Sequence, residues 1–175
     1  DKMIIQIKEF LSSPEQEMLI KGDLKDQKSS YDISDLELQF PISYEGRIFK
    51  LDDEILLDLC IKYKYNTQCD RCLTQMIEEV SSNVKAYFVR DLENVEDEAT
   101  IEYFKLNEEG IFLDDLIISQ VITSKPLKQL CGDDCEGLCP QCGQNLNEEP
   151  CDCGNKVDVD PRFEKLLNLF NDEEV

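Results

Sequence analysis

The chain of 175 residues is strongly acidic, with 39 Asp and Glu against 18 Lys and Arg and a formal net charge of −21. It contains no histidine, which excludes Ser–His, Cys–His and His–metal chemistry and therefore most hydrolases and catalytic zinc sites. The negative field repels phosphate backbones, so a basic protein is a more suitable partner than nucleic acid, although acidity can also serve solubility alone.

The length and a hydrophobic content of 41% fit one core with at most a small appendage. No apolar run approaches the roughly 20 residues needed to cross a bilayer, so no membrane partner is expected. The first ten residues, DKMIIQIKEF, lack the features of a secretory signal, which predicts a cytoplasmic protein. Nine cysteines in a reducing compartment indicate metal ligands before disulfides.

Alternation of apolar and polar residues predicts strands in the first 90 residues. Short strands are expected at 3–7 and 18–24, and residues 36–44 are apolar at every even position, the period of a strand with one buried face. Pro41 cannot donate to a ladder, so this strand is predicted to lie at an edge or to carry a bulge. Glu45-Gly46 is interpreted as the turn that ends it.

Two longer alternating segments, residues 55–65 and 76–88, predict an antiparallel hairpin whose loop carries Cys69 and Cys72. Residues 91–109 are acidic and are interpreted as a solvated loop with one short strand near 101–106.

Two helices are expected after the strands. The first starts near Leu113 and ends at Lys125-Pro126, and the second starts at Asp160-Pro161 with a cap and a proline at its first turn. These elements predict an α+β chain, mostly antiparallel β, with a core domain over 1–126 and a cysteine-rich tail over 127–175.

Eight of the nine cysteines fall into clusters with the spacing of metal ligands. The Cys-x2-Cys turn lets two thiolates converge on one zinc ion, and a second pair completes the tetrahedron. The eight are Cys69, Cys72, Cys131, Cys135, Cys139, Cys142, Cys151 and Cys153.

The spacing predicts two zinc ions, one held by the last four cysteines in the tail and one shared by Cys69–Cys72 with Cys131 and Cys135. A single zinc held by Cys135, Cys139, Cys142 and either Cys151 or Cys153 is the alternative, because spacing alone does not fix connectivity. Cys60 is expected to be an inert thiol.

Other uses of the cysteines fit less well. A redox Cys-x2-Cys opens a helix after a strand, whereas the segment after Cys72 alternates like a strand. The cysteine run of bacterial ferredoxins, which would indicate an iron–sulfur cluster, is absent from the sequence. A zinc ion with four thiolates has no open position, so these sites are structural and argue against an enzyme with a small-molecule substrate.

Basic residues near the hairpin form a candidate RNA-binding patch of Arg71, Lys62 and Lys64, together with Lys85. Lys156 and Arg162 in the tail extend the hypothesis. A solvated strand face with scattered charges explains the same residues.

Several motifs resemble those of the bacterial YceD family. Cys69-Asp70-Arg71-Cys72-Leu73 is similar to its Cys-x-Arg-Cys-Leu signature, and residues 135–143 resemble its Cys-x-Gly-Leu-Cys-Pro-x-Cys-Gly segment. Asn145-Leu146-Asn147, Cys151-Asp152-Cys153 and Asp160-Pro161-Arg162-Phe163 continue the similarity in order, over roughly residues 55 to 170.

The resemblance implies an antiparallel, barrel-like sheet with flanking helices. It also implies a non-enzymatic factor that supports 23S rRNA maturation or accumulation in the large ribosomal subunit, encoded near a small basic ribosomal protein. The charge favours binding of a basic ribosomal protein or assembly factor. Direct binding of 23S rRNA and, less suitably, thiol redox chemistry at Cys69 and Cys72 are the alternatives.

Overall fold

The computed structural model describes residues 3–26, 28–90, 92, 103–107 and 110–153. The chain divides into two compact units. The first unit comprises Asp1–Asp70 and Thr74–Cys131, and the second comprises Arg71–Leu73 and Gly132–Val175. The predicted division at residue 126 stays a prediction.

A five-stranded sheet dominates the first unit. Its first four strands are antiparallel neighbours and the fifth is parallel to the fourth, so the prediction of a mostly antiparallel β protein is confirmed. In sheet order the strands are β2 (Glu17–Leu24), β3 (Leu38–Lys50), β4 (Glu54–Gln68), β5 (Gln75–Val89) and β6 (Tyr103–Lys105).

The sheet is open, so the expectation of a barrel is wrong. In the described part of the chain, β2 and β6 form the two edges and do not pair with each other. Closing a sheet requires its first and last strands to share a hydrogen-bonded ladder. β6 has only three residues and pairs with β5 at Tyr87, Phe88 and Val89, so along most of its length β5 has no second partner strand among the described residues.

Two helices and a small second sheet complete the described elements. β1 (Ile4–Ile5) pairs with β7 (Ile111–Phe112), and α1 (Lys8–Ser12) follows β1. α2 (Leu113–Ser124) confirms the predicted first helix and ends before Lys125. A 3-10 turn spans Ser34–Leu36. The helix predicted from Asp160-Pro161 lies outside the described residues, as do Lys156 and Arg162.

The core of the first unit lies on one face of the sheet, where the odd positions of β4 from Ile55 to Tyr65 are buried. α2 contributes its own apolar side chains to this core, among them Ile117 and Val121. Its first-turn acids act as acceptors as well: Asp114 Oδ2 accepts the N–H of Met3 at 2.6 Å and Asp115 Oδ1 that of Ser30 at 2.7 Å. These bonds fix the start of the helix.

The predicted turn at Glu45-Gly46 is wrong, because β3 runs through it to Lys50. A Cβ at Gly46 would lie 2.1 Å from the carbonyl oxygen of Asp58 on the neighbouring strand. Glycine at this position therefore permits close approach of two strands. The bulge predicted from Pro41 is present, as a register shift between Gln39 and Ser43.

The second unit is built from turns in its described residues, which end at Cys153. An isolated bridge joins Leu138 to Asn145, and Leu146 N–H donates to the carbonyl of Gly137 at 2.9 Å. Gly137 and Gly143 have φ of 80° and 76°, a left-handed backbone that glycine adopts without strain. No helix within the described residues combines the length and apolar character that a membrane span requires.

Candidate metal centre

The tip of the β4–β5 hairpin positions the first pair of thiols. Cys69 N–H donates to the carbonyl of Thr74 at 2.9 Å, which closes the turn. Cys69 is fully buried and Cys72 is 5% exposed. Cys72 lies in a turn and not at the start of a helix, unlike a redox Cys-x2-Cys.

A second segment of the first unit is fastened to this tip through Gln129. Asp70 N–H donates to the Gln129 carbonyl at 2.8 Å, and Gln129 N–H donates to Asp70 Oδ2 at 2.7 Å. Thr67 Oγ1 donates to Gln129 Oε1. Because Cys131 follows Gln129 by two residues, these bonds place the thiol of Cys131 close to the hairpin tip.

Four thiols form the first cysteine group: Cys69, Cys72, Cys131 and Cys135. Their Sγ atoms all lie within 4.8 Å of one another. A tetrahedral zinc with zinc–sulfur bonds of about 2.3 Å has sulfur–sulfur edges of about 3.8 Å. The spacing therefore suits one four-coordinate ion, and the donor set suits zinc.

The second cysteine group comprises Cys139, Cys142, Cys151 and Cys153, whose Sγ atoms also lie within 4.8 Å of one another. All four belong to the second unit. Cys139 N–H donates to the Gln144 carbonyl at 2.8 Å and Gly143 N–H donates to the Cys139 carbonyl at 2.9 Å. These two bonds close the tight turn that brings Cys142 beside Cys139.

Hydrogen bonds give the thiols of the second group different pKa values. The backbone N–H groups of Cys142 and Gln141 lower the pKa of Cys139 to about 6. A hydrogen bond with the Cys142 side chain, followed by burial, raises the pKa of Cys153 to about 12. Four adjacent thiolates repel one another, so full ionisation of the group requires the charge of a bound cation.

Two polar side chains of the second unit support Cys135. Asn147 Nδ2 donates to Cys135 Sγ at 3.4 Å, while Asn147 Oδ1 accepts the N–H of Glu136 at 2.8 Å. Arg71 Nη1 donates to the Cys135 carbonyl at 2.9 Å, and the Arg71 carbonyl accepts Leu138 N–H at 3.1 Å. The sequence pattern did not single out Asn147 for this role, because a supporting amide has no characteristic spacing.

The eight clustered cysteines thus lie in two groups of four, and Cys60 lies apart from both, with its Sγ 3.5 Å from Ser81 Oγ. The single-zinc alternative required Cys135 to join Cys139 and Cys142. Its thiol instead lies with those of Cys69, Cys72 and Cys131.

Two of the three candidate RNA-binding residues make polar contacts within their own unit. Lys64 Nζ lies 3.1 Å from Glu79 Oε2, and the Arg71 guanidinium donates inside its own unit. Lys62 is exposed on β4 between Ser43 and Ser81 of the neighbouring strands. Lys85 lies 3.7 Å from Asp58. The polar face of the sheet therefore pairs much of its positive charge with acid.

The sequence model of one family, described as "Large ribosomal RNA subunit accumulation protein YceD", matches residues 57–170, which is more than half of the chain. The chain belongs to the YceD family. The match covers all eight clustered cysteines.

The curated relatives are themselves uncharacterized. Proteins of Mycobacterium bovis and Mycobacterium tuberculosis are 34% identical over 109 residues, covering 61% of this chain and 51% of each relative. A protein of Mycobacterium leprae is 26% identical over 139 residues, covering 77% of this chain and 62% of the relative. The chain spans about half the length of the first curated relatives it matches. No solved structure matches it significantly.

Proposed function

We propose that this YceD-family protein is a non-enzymatic factor that supports 23S rRNA maturation and accumulation by binding a basic ribosomal protein or assembly factor. It acts in the cytoplasm, where the large subunit is assembled, and needs no small-molecule substrate. Family membership supports the process, and the charge of the second unit supports the mechanism.

One observation carries the mechanism. The described residues of the second unit contain six exposed acidic side chains and one basic residue, Arg71, whose guanidinium donates to Cys135. The six acids are Asp133, Asp134, Glu136, Glu148, Glu149 and Asp152. A zinc ion with four thiolates would add a further net charge of about −2 to the same unit. This concentration of negative charge steers a basic partner toward the protein and repels RNA.

Zinc has a structural role in this proposal. Each group supplies four thiolates, which close the coordination shell, so the ion stabilises the turns around it and offers no position to a substrate. Two ions per chain are proposed, with Cys69, Cys72, Cys131 and Cys135 as one ligand set and Cys139, Cys142, Cys151 and Cys153 as the other. The binding energy of each ion then contributes to folding.

Direct binding of 23S rRNA through Arg71, Lys62 and Lys64 is the competing proposal. The ion pair between Lys64 and Glu79 and the internal hydrogen bond of Arg71 count against it. A redox role for Cys69 and Cys72 is less suitable, because both are buried beside two further thiols.

The test compares two matched double variants. Asp133→Asn/Asp134→Asn removes two exposed acids of the second unit, and Asp52→Asn/Asp53→Asn removes two exposed acids between β3 and β4. The probes are large-subunit ribosomal proteins stripped of RNA and naked 23S rRNA. We expect native protein to bind a basic protein of the first probe in a salt-sensitive manner, and the first variant to bind it about tenfold more weakly.

The control variant should retain native affinity within about twofold, since it carries the same change in net charge elsewhere on the chain. Equal weakening by both variants would show that net charge alone governs binding. Comparable affinity of the native protein for naked 23S rRNA would overturn the mechanism, and loss of that affinity in Lys62→Ala/Lys64→Ala would establish the competing one.

A further inference from the structure

The edge strand β2 of the first unit has one side without a partner strand among the described residues. Lys50 N–H donates to the Gln16 carbonyl at 2.9 Å, which makes residues 16 and 50 a hydrogen-bonded pair at the start of the β2–β3 ladder. Such pairs alternate along antiparallel strands. The even residues of β2 therefore bond to β3, and the odd residues direct their N–H and C=O groups outward.

The odd residues of β2 also share one face of the sheet. They are Glu17, Leu19, Lys21 and Asp23, and on β3 they face Phe49, Arg47, Glu45 and Ser43. Leu19 is 72% exposed, while the even residues Met18 and Ile20 pack against the core. Natural edge strands are protected by prolines, bulges, inward-pointing charges or charged side chains on the edge itself. β2 carries charges at Glu17, Lys21 and Asp23, so only a partner with complementary charges can pair with it. Within Glu17–Leu24 there is no proline, and the inner face is apolar.

Two copies of this edge are complementary in one antiparallel register. When Leu19 of one copy faces Leu19 of the other, Glu17 faces Lys21 at both ends, and each facing pair exchanges both of its outward hydrogen bonds. On the inner face Met18 then faces Ile20 of the other copy, which extends the apolar surface. Shifting the register by one step in either direction loses this match. In one direction Glu17 faces Asp23 and Leu19 faces Lys21, and in the other direction Glu17 faces Leu19.

Contacts already present in each copy support the same register. Glu17 Oε2 lies 3.5 Å from Arg47 Nη1, and Lys21 Nζ lies 3.7 Å from Glu45 Oε2. Pairing two copies joins these exposed ion pairs into a continuous row of alternating sign, Arg47–Glu17 in one copy and Lys21–Glu45 in the other. A network of ion pairs contributes more to the stability of an association than the same pairs do in isolation.

We propose that β2 is a self-association edge, through which a second copy of this chain pairs antiparallel about Leu19 to form one continuous sheet. Only five residues of each copy face each other, so the association is weak and depends on concentration. The net charge of −21 opposes it, but at about 0.15 M salt the Debye length of about 8 Å screens distant charges more than contacting ones.

The test measures the mass of the full chain by sedimentation velocity, from low micromolar to near-millimolar concentration. Native protein should approach twice its 20.3 kDa mass as concentration rises. Glu17→Lys places Lys against Lys at both ends, and Lys21→Glu places Glu against Glu, so each variant alone should weaken dimerisation about tenfold or more. Mixing the two variants restores opposite charges at both contacts, so the mixture should regain the dimer.

Leu19→Asp should abolish the dimer, whereas Leu127→Asp, at a fully exposed leucine outside the strands, should leave it unchanged. Circular dichroism of each variant establishes that the sheet remains folded. A native chain that stays monomeric throughout, a dimer insensitive to Leu19→Asp, or a mixture that stays as weak as its components would each overturn the proposal. A monomer that binds strands of another protein would count against self-association as well.

Discussion

The two cysteine groups contain the same four thiols but differ in burial and in the span of chain they join. In the first group three thiols are buried and only Cys131 is exposed, whereas in the second group only Cys139 is buried. A metal in the first group would close a loop of roughly 60 residues between Cys72 and Cys131, against roughly 9 residues between Cys142 and Cys151. Equal donor sets can therefore contribute very unequally to stability.

Serine replacement at one ligand of each group is the strongest test of this difference. Cys72→Ser should release one zinc per chain and lower the Tm by about 10 °C or more, because the binding energy lost there is folding energy of the hairpin tip. Cys142→Ser should also release one zinc, but the unfolding transition of the sheet should shift by less than about 3 °C. Metal analysis and circular dichroism against temperature measure both effects.

Cys60→Ser is the matched control, since Cys60 lies outside both groups and its Sγ lies 3.5 Å from Ser81 Oγ. It should keep two zinc ions and the native Tm. Equal destabilisation by Cys72→Ser and Cys142→Ser would show that burial and loop length do not distinguish the groups.

Chelator competition sharpens the comparison without any mutation. A chromogenic chelator reaches a zinc ion through exposed ligands, and Cys142 is exposed while Cys151 and Cys153 are partly exposed. We expect release in two phases of equal amplitude, the fast one about tenfold or more faster than the slow one. Cys142→Ser should remove the fast phase and Cys72→Ser the slow one. A single phase in the native protein would contradict the difference in access.

Alanine substitutions at two glycines of the second unit are expected to have the smallest effects on the Tm. Gly137 and Gly143 both have positive φ, so alanine at either site carries a backbone cost of about 1–2 kcal/mol. A Cβ at Gly137 would also lie 3.2 Å from the Arg71 carbonyl oxygen, whereas at Gly143 it meets nothing within 4 Å. Gly137→Ala should therefore lower the Tm of the zinc-loaded protein a few degrees more than Gly143→Ala. Equal shifts would mean that the Arg71 contact is not tight.

Local periodicity explains why much of the fold was predictable. The alternation in residues 55–65 reflects a strand with one buried face, and β4 buries the odd positions as expected. The helix from Leu113 was recognisable for the same reason, because its apolar spacing and its Lys125-Pro126 end are local properties. Pair spacing predicted the two groups of cysteines but left a single-zinc alternative open, and only the positions of the thiols decide between them.

Features that depend on distant strands were not readable from the sequence. Gly46 looks like a turn residue, and only the approach of Asp58 on β4 shows why glycine stands inside a strand. The parallel pairing of β6 and the opening of the sheet depend on where distant segments meet, which periodicity does not report. Gln129, which holds one cysteine segment in place, carries no recognisable spacing. Asn147 belongs to a segment that resembles the family, but its hydrogen bond to Cys135 was not predictable from that resemblance.

The distance along the chain between Cys72 and Cys131 has a consequence for synthesis on the ribosome. At about 5–20 residues per second, translation takes roughly 3–12 s to pass from one cysteine to the other. During that interval the hairpin β4–β5 can already form while its tip carries only half of a metal site. The nascent chain therefore presents two unprotected thiols for several seconds, and zinc can complete this group only after residue 135 has emerged.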